Sequence, residues 1–155
     1  MPKKPIDYSR TLAYMLCCKD PTITDVYVGT TTNLTKRKYN HKGKCDNPKS
    51  DKYNLYVYQF IRENGGWDNW EMIVLETKSC IDGDDARKFE REWFEKKGAT
   101  LNGQRPFVSE EEKVEYHKIK SKIYHQEHRE KRNEQQKIRR ALKKLQKETE
   151  VNLSV

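Results

Sequence analysis

A chain of 155 residues suffices for one compact domain with an appendage but not for two full cores. Only 34% of its residues are hydrophobic against 36% charged, and a mean hydropathy of -1.16 excludes a uniformly packed globule. A net charge of +8 points to an anionic partner such as nucleic acid, and no run approaches the roughly 18 apolar residues of a membrane span.

The apolar deficit is local. All three Trp and all four Phe fall within residues 1–108, whereas residues 109–150 hold scattered Val, Ile, Leu and Tyr among charges and Gln. One core is therefore expected in the first two thirds. The opening residues Met1 to Pro5 contain no apolar core of a signal peptide, so an intracellular, soluble protein is expected; its oligomeric state is open, with a monomer favoured. Cys17, Cys18, Cys45 and Cys80 form no CxxC pair, which favours buried or free thiols over a disulfide framework. His41 and Cys45 have an H-x-x-x-C spacing that a zinc site would use, a reading ranked below the free thiols.

In chain order, Thr11 to Cys18 reads as a strand stopped by Asp20-Pro21. Asp25 to Thr30 reads as its antiparallel partner, with Gly29 marking a bulge or a close backbone approach. Asn33 is a plausible N-cap for a short helix carrying Arg37 and His41 on one face and ending at Gly43. Cys45 to Tyr53 reads as a polar loop, and Leu55, Tyr58, Ile61 and Arg62 then recur at helical spacing up to Asn64-Gly65-Gly66. Trp67 to Thr77 alternates as a third strand, its Trp67 and Trp70 serving mainly to pack. Asp82 to Lys97 is a helix with an acidic first turn, a cationic last turn and Gly98 as its stop. After Pro106, Ser109 to Glu112 is a capping box that opens a long charged helix or helix pair reaching about Lys147.

Several of these residues together carry the chemistry of phosphodiester hydrolysis. An Arg guanidinium binds phosphate oxygens through a fork of donors, a hydroxyl or imidazole takes a proton from water, and a carboxylate holds a hard cation such as Mg²⁺. Tyr14, Tyr27, Arg37 and His41 supply the first two functions. Among the carboxylates of the last core helix, Glu90 has Ala86 and Trp93 at helical neighbour positions and borders the apolar stripe. Glu92 and Glu95 lie among Lys88, Arg91 and Lys96 and read as solvated charges. A carboxylate turned toward a core needs a partner or a metal, so Glu90 is either the metal ligand or one half of an ion pair with a core Arg.

With these residues in order, the sequence resembles the GIY-YIG nuclease family. Leu12-Ala13-Tyr14 stands at the first motif and Tyr27-Val28-Gly29 at the second. Asn33-Leu34, Arg37 and His41 follow, then Glu90 with Trp93-Phe94, and Leu101-Asn102. Leu12 and Ala13 depart from the Gly and Ile of the first motif. The resemblance implies an α+β fold, a small domain over residues 10–104 with a three-stranded antiparallel sheet flanked by helices; the charged, basic helical tail over 109–150, read from capping and composition, lies beyond it. It further implies hydrolysis of DNA dependent on Mg²⁺ or Mn²⁺. Tyr14 would help activate the water with Tyr27 and His41, Arg37 would bind the scissile phosphate, Glu90 would hold the metal, and Gly29 and Asn102 would support the site. Lys36, Lys38 and Lys42 beside Arg37 are expected to contact nucleic acid, and the cations between Lys118 and Lys147 to add affinity for DNA. Asn64 to Trp70 resembles the style of family members from large DNA viruses, for which a host cytoplasm or nucleus would be the site of action. The competing reading is a binding module of the same fold without catalysis. A third, a tail that self-associates as a coiled coil, is opposed by its weak heptad pattern.

Overall fold

The computed structural model describes residues 5–152, with side chains through residue 147. The chain divides into two compact units, Met1–Phe107 and Val108–Val155. Three strands form one antiparallel sheet in the first unit: β1 (Thr11–Cys18), β2 (Val26–Thr31) and β3 (Trp70–Lys78), in the order β2-β1-β3. Helices α1 (Leu34–Asp46) and α2 (Tyr56–Glu63) connect β2 to β3, and α3 (Gly83–Lys97) follows β3. The α+β architecture and its three-stranded antiparallel sheet are as the sequence led us to expect.

The period-two alternation of β1 feeds two cores, one on each face of the sheet. Tyr14 and Leu16 enter a cluster with Cys45, Val57, Tyr58, Ile61, Trp67 and Trp70, which belongs to α1, α2 and the start of β3. Ala13 turns the other way and packs with Ala86 and Phe89 of α3 and with Cys80. Ala13, one of the two departures from the first motif, thus fills the sheet-to-α3 layer, on the face away from Tyr14. A register shift of β1 against β3 falls between Ala13 and Tyr14.

The β1–β2 register pairs Tyr14 with Gly29 and Leu16 with Tyr27, so both tyrosines stand on one face. That register also explains the glycine. A Cβ on Gly29 would lie 2.5 Å from the Tyr14 hydroxyl and 3.1 Å from the Tyr27 ring, an overlap that the buried Tyr14 has no room to relieve.

Three local expectations are corrected. Helix α1 does not end at Gly43 but continues to Asp46, because Cys45 is buried in the core and packing outweighs the roughly 1 kcal/mol cost of an interior glycine. The loop after it is correspondingly shorter. Trp67–Asn69 is a 3-10 turn, and β3 begins only at Trp70. Gly66 has a left-handed φ of 75° and its carbonyl accepts from Asn69 N–H, which folds Trp67 under the sheet instead of along it.

Helix α3 starts and stops as its sequence dictates. The Asp82 side chain accepts from the Asp84 and Asp85 amides, and Gly98 closes the helix in the left-handed conformation. In the second unit, α4 (Glu110–Asn152) is a single helix opened by the expected capping box. Glu112 N–H donates to Ser109 Oγ and the Glu112 carboxylate accepts from Ser109 N–H. From Val114 through Lys147 every α4 side chain is exposed. Among the described residues, no helix is long and apolar enough to cross a membrane.

Candidate active site

The site lies at the β2 edge of the sheet, where α1 approaches from one face and α3 from the other. A cleft of about 490 Å³ is lined there by Tyr27, Arg37, His41, Tyr58, Glu90 and Asn102, with Lys44, Lys52 and Tyr56 around it. Four of the five residues expected to do the chemistry thus line one cleft. The fifth, Tyr14, is fully buried and reaches the group through its hydroxyl.

Arg37 lies one turn into α1, a helix whose start is fixed by Asn33, which accepts from Lys36 N–H. Its guanidinium spans both tyrosines, Nε donating to the Tyr14 hydroxyl at 2.6 Å and Nη2 to the Tyr27 hydroxyl at 3.3 Å. One turn later His41 Nε2 lies 2.8 Å from the Tyr14 hydroxyl, and Nδ1 lies 3.0 Å from the hydroxyl of Tyr58 on α2. Trp67 stacks on the imidazole at 6.2 Å and 12°. A neutral imidazole has one donor and one acceptor nitrogen, so the two tyrosine hydroxyls satisfy it completely. No nitrogen is left for the zinc pairing with Cys45 that the H-x-x-x-C spacing suggested.

Burial, together with the charges of Arg37 and Lys44, pushes His41 down to about 3, and the ring is neutral at neutral pH. Burial also pushes the Tyr14 hydroxyl up, with the neighbouring Tyr27 adding to the shift and Arg37 opposing it. Tyr27 is raised by burial against the same guanidinium. Both tyrosines are therefore protonated at rest.

Glu90 arrives from α3 on the opposite face. Its Oε2 accepts from Thr30 N–H at 3.0 Å and from Thr30 Oγ1 at 2.6 Å. Burial raises the carboxyl while these two bonds and the charges of Arg37 and Arg87 pull it back. Both bonds fall on one oxygen. The choice of Glu90 over Glu92 and Glu95 agrees with their positions, since both alternatives are exposed. Among the described residues Glu90 forms no ion pair with a core Arg; Thr30 is its hydrogen-bond partner. On the same edge, Asn102 Oδ1 accepts from Val28 N–H at 2.9 Å and Asn102 Nδ2 donates to Val28 O at 2.7 Å. This two-point clamp holds β2 at the residue between Tyr27 and Gly29.

A model of the GIY-YIG catalytic domain matches residues 11–105. The chain belongs to the GIY-YIG family. No curated protein and no solved structure matches it. GIY-YIG is a nuclease family whose members act on DNA, and in this domain Tyr14 on β1 and Tyr27 on β2 are joined by one arginine.

The surface cations divide differently from the sequence reading. Lys38 and Lys42 line a separate depression of about 310 Å³ with Lys19, Tyr39, Trp67 and Asp68, where Lys42 pairs with Asp68 at 3.5 Å. Lys36 is exposed and lines neither. Beside Arg37, the cations at the GIY-YIG cleft are Lys44 and Lys52. Lys44 had a usable signal, standing seven residues after Arg37 and three after His41 on the same helical face. Tyr58 had none beyond its apolar spacing, because its bond to His41 is made between two helices.

Proposed function

We propose that this GIY-YIG domain is a divalent-metal-dependent DNA endonuclease that hydrolyses a phosphodiester bond. The reading is carried by one observation: the Arg37 guanidinium, the Tyr27 hydroxyl, the His41 imidazole and the Glu90 carboxylate line a single cleft.

Arg37 binds the scissile phosphate and stabilises the charge that grows on its oxygens. A water attacks phosphorus as the bond to the leaving oxygen breaks. The water gives its proton to Tyr27, which passes its own to the buried Tyr14, and Tyr14 passes its own to His41 Nε2; the leaving oxygen departs as an alkoxide that takes a proton from solvent. Neither tyrosine is left as a bare phenolate, which burial disfavours. An anionic phosphate in the cleft also offsets the Arg37 charge that depresses His41, raising the proton affinity of the ring when substrate is present. Tyr58 accepts from His41 Nδ1–H and so keeps the Nε2 lone pair directed at Tyr14.

The donor set at Glu90 fits a hard cation. It offers carboxylate oxygen, and with Oε2 occupied by Thr30 its Oε1 receives no hydrogen bond among the described residues. Mg²⁺ or Mn²⁺ suits a carboxylate oxygen ligand, and Mg²⁺ keeps several waters of its own. When bound, the cation supplies Lewis-acid stabilisation of the phosphate charge. Gly29 and Asn102 hold β2 and thereby the separation of Tyr27 from Tyr14.

Nicking of supercoiled plasmid by the purified protein with Mg²⁺ tests the reading. Cleavage that EDTA abolishes and that Glu90→Ala and Arg37→Ala reduce by about a hundredfold or more is the expected result. Absence of cutting on every DNA form, with binding retained, would establish the non-catalytic binding module instead.

A further inference from the structure

Over Tyr116–Lys147, helix α4 carries most of its cations on one side. Between Tyr116 and Lys147 there are twelve Lys and Arg against three Glu, and one continuous helix covers them all. At 3.6 residues per turn, nine of the twelve fall within an arc of about 140°, among them Lys118, Lys122, Arg129, Arg132, Arg140 and Lys147. No acidic residue of this stretch shares that arc. Glu127 and Glu134 stand on the opposite side, near Lys131 and amid the apolar positions Ile123, Ile138 and Leu145, and Glu130 stands between them and the edge of the arc. The helix is exposed along this whole length, which at about 1.5 Å per residue is roughly 47 Å, more than one turn of B-DNA.

We propose that this cationic face of α4 binds the phosphate backbone of duplex DNA without reading its sequence. Density and sign of charge match a polyanion that presents one phosphate charge per ~1.7 Å of duplex axis. Tyr116 and Tyr124 lie outside the cationic arc, so the face lacks the tyrosine platforms on which single-stranded bases stack. A lipid surface is disfavoured by the opposite side, where the three glutamates interrupt the apolar arc that a membrane-lying helix would have to bury. Binding by α4 is separable from the chemistry proposed for the cleft, since it requires neither the metal nor Tyr14.

Two variants of the full-length protein, each losing two charges from neighbouring stretches of α4, distinguish a face from mere net charge. Lys122→Gln with Arg129→Gln removes charge from the cationic arc; Lys120→Gln with Lys131→Gln removes it from the other side. All four positions are exposed, and Gln is a good helix former. Affinity for a 30-base-pair duplex is measured in EDTA over a range of salt. The first variant should bind about fivefold more weakly or worse, with the slope of log affinity against log salt reduced by about 2. The second should stay within about twofold of the parent with an unchanged slope. Equal losses in the two variants, no loss in either, tighter binding to a single strand of equal length, or retention on phosphatidylserine vesicles without duplex binding would each overturn the proposal. Loss of plasmid cleavage with this face-dependent binding intact would remove the catalytic reading alone.

Discussion

The two units use charge in opposite ways. In the nuclease domain, Arg37 and Glu90 are half-buried, and each makes two hydrogen bonds that fix its position. Every buried side chain in the described residues belongs to this unit. In α4 no side chain from Val114 to Lys147 is buried, and the cations are ordered only by the phase of the helix. A reaction that moves a proton between named atoms needs positions held to fractions of an ångström. A contact that neutralises phosphates needs the right number of charges on the right side. Substitutions should therefore act through geometry in the first unit and through charge count in the second.

The largest effect should come from one oxygen atom. Tyr14→Phe removes the acceptor of Arg37 Nε–H and the partner of His41 Nε2 and leaves the ring in the core. Plasmid nicking should fall by about 10²- to 10⁴-fold with duplex affinity in EDTA unchanged. A parallel loss of affinity would mean that Tyr14 serves binding.

Core packing comes next, and it contrasts the two units directly. Leu16 is fully buried and Leu142 is 56% exposed. Leu16→Ala should cost about 2 to 5 kcal/mol in urea unfolding of the nuclease domain, and Leu142→Ala less than about 0.5. Comparable losses would show that α4 is packed against something in solution.

Tyr58→Phe deletes only the hydroxyl that engages His41 Nδ1. Losing one hydrogen bond of about 0.5 to 1.5 kcal/mol should slow nicking by about three- to tenfold and alter the pH profile of the rate, since the ring loses the partner that selects its tautomer. A rate loss with an unaltered profile would reduce Tyr58 to packing.

The smallest effect is a pH dependence of stability. His41 binds its proton near pH 3 in the folded chain against an ordinary 6.5, so between these values the unfolded chain binds more protons. The stability it contributes is full above pH 6.5 and is lost as pH falls toward 3. Thermal melts from pH 7 to 5 should decline more steeply for the parent than for His41→Gln; parallel curves would refute a buried neutral ring.

Local rules carried much of the site. The spacing of Arg37 and His41 on a capped helix, the alternation along β1 and β2, and the position of Glu90 beside Ala86 could be read because strand and helix periods set which residues share a face. They failed where two elements meet. Gly43 reads as a stop until Cys45 is seen buried beyond it, and Trp67 reads as a strand residue until the turn places it against His41. Lys36, Lys38 and Lys42 outnumber Lys44 near Arg37 in the sequence, yet Lys44 shares the cleft.

The sequence by itself determined the elements, their order, the family, and the one-sided charge of α4, since each follows from periodicity, capping and residue type along one segment. Tertiary structure alone decided that Tyr14 is buried behind Arg37, that Tyr58 closes the ring of contacts on His41, and that Glu90 is braced by Thr30. Those facts depend on the β1–β2 register and on the meeting of α1, α2 and α3 around the sheet, where residues as far apart as Thr30 and Glu90, 60 positions, come within hydrogen-bonding distance.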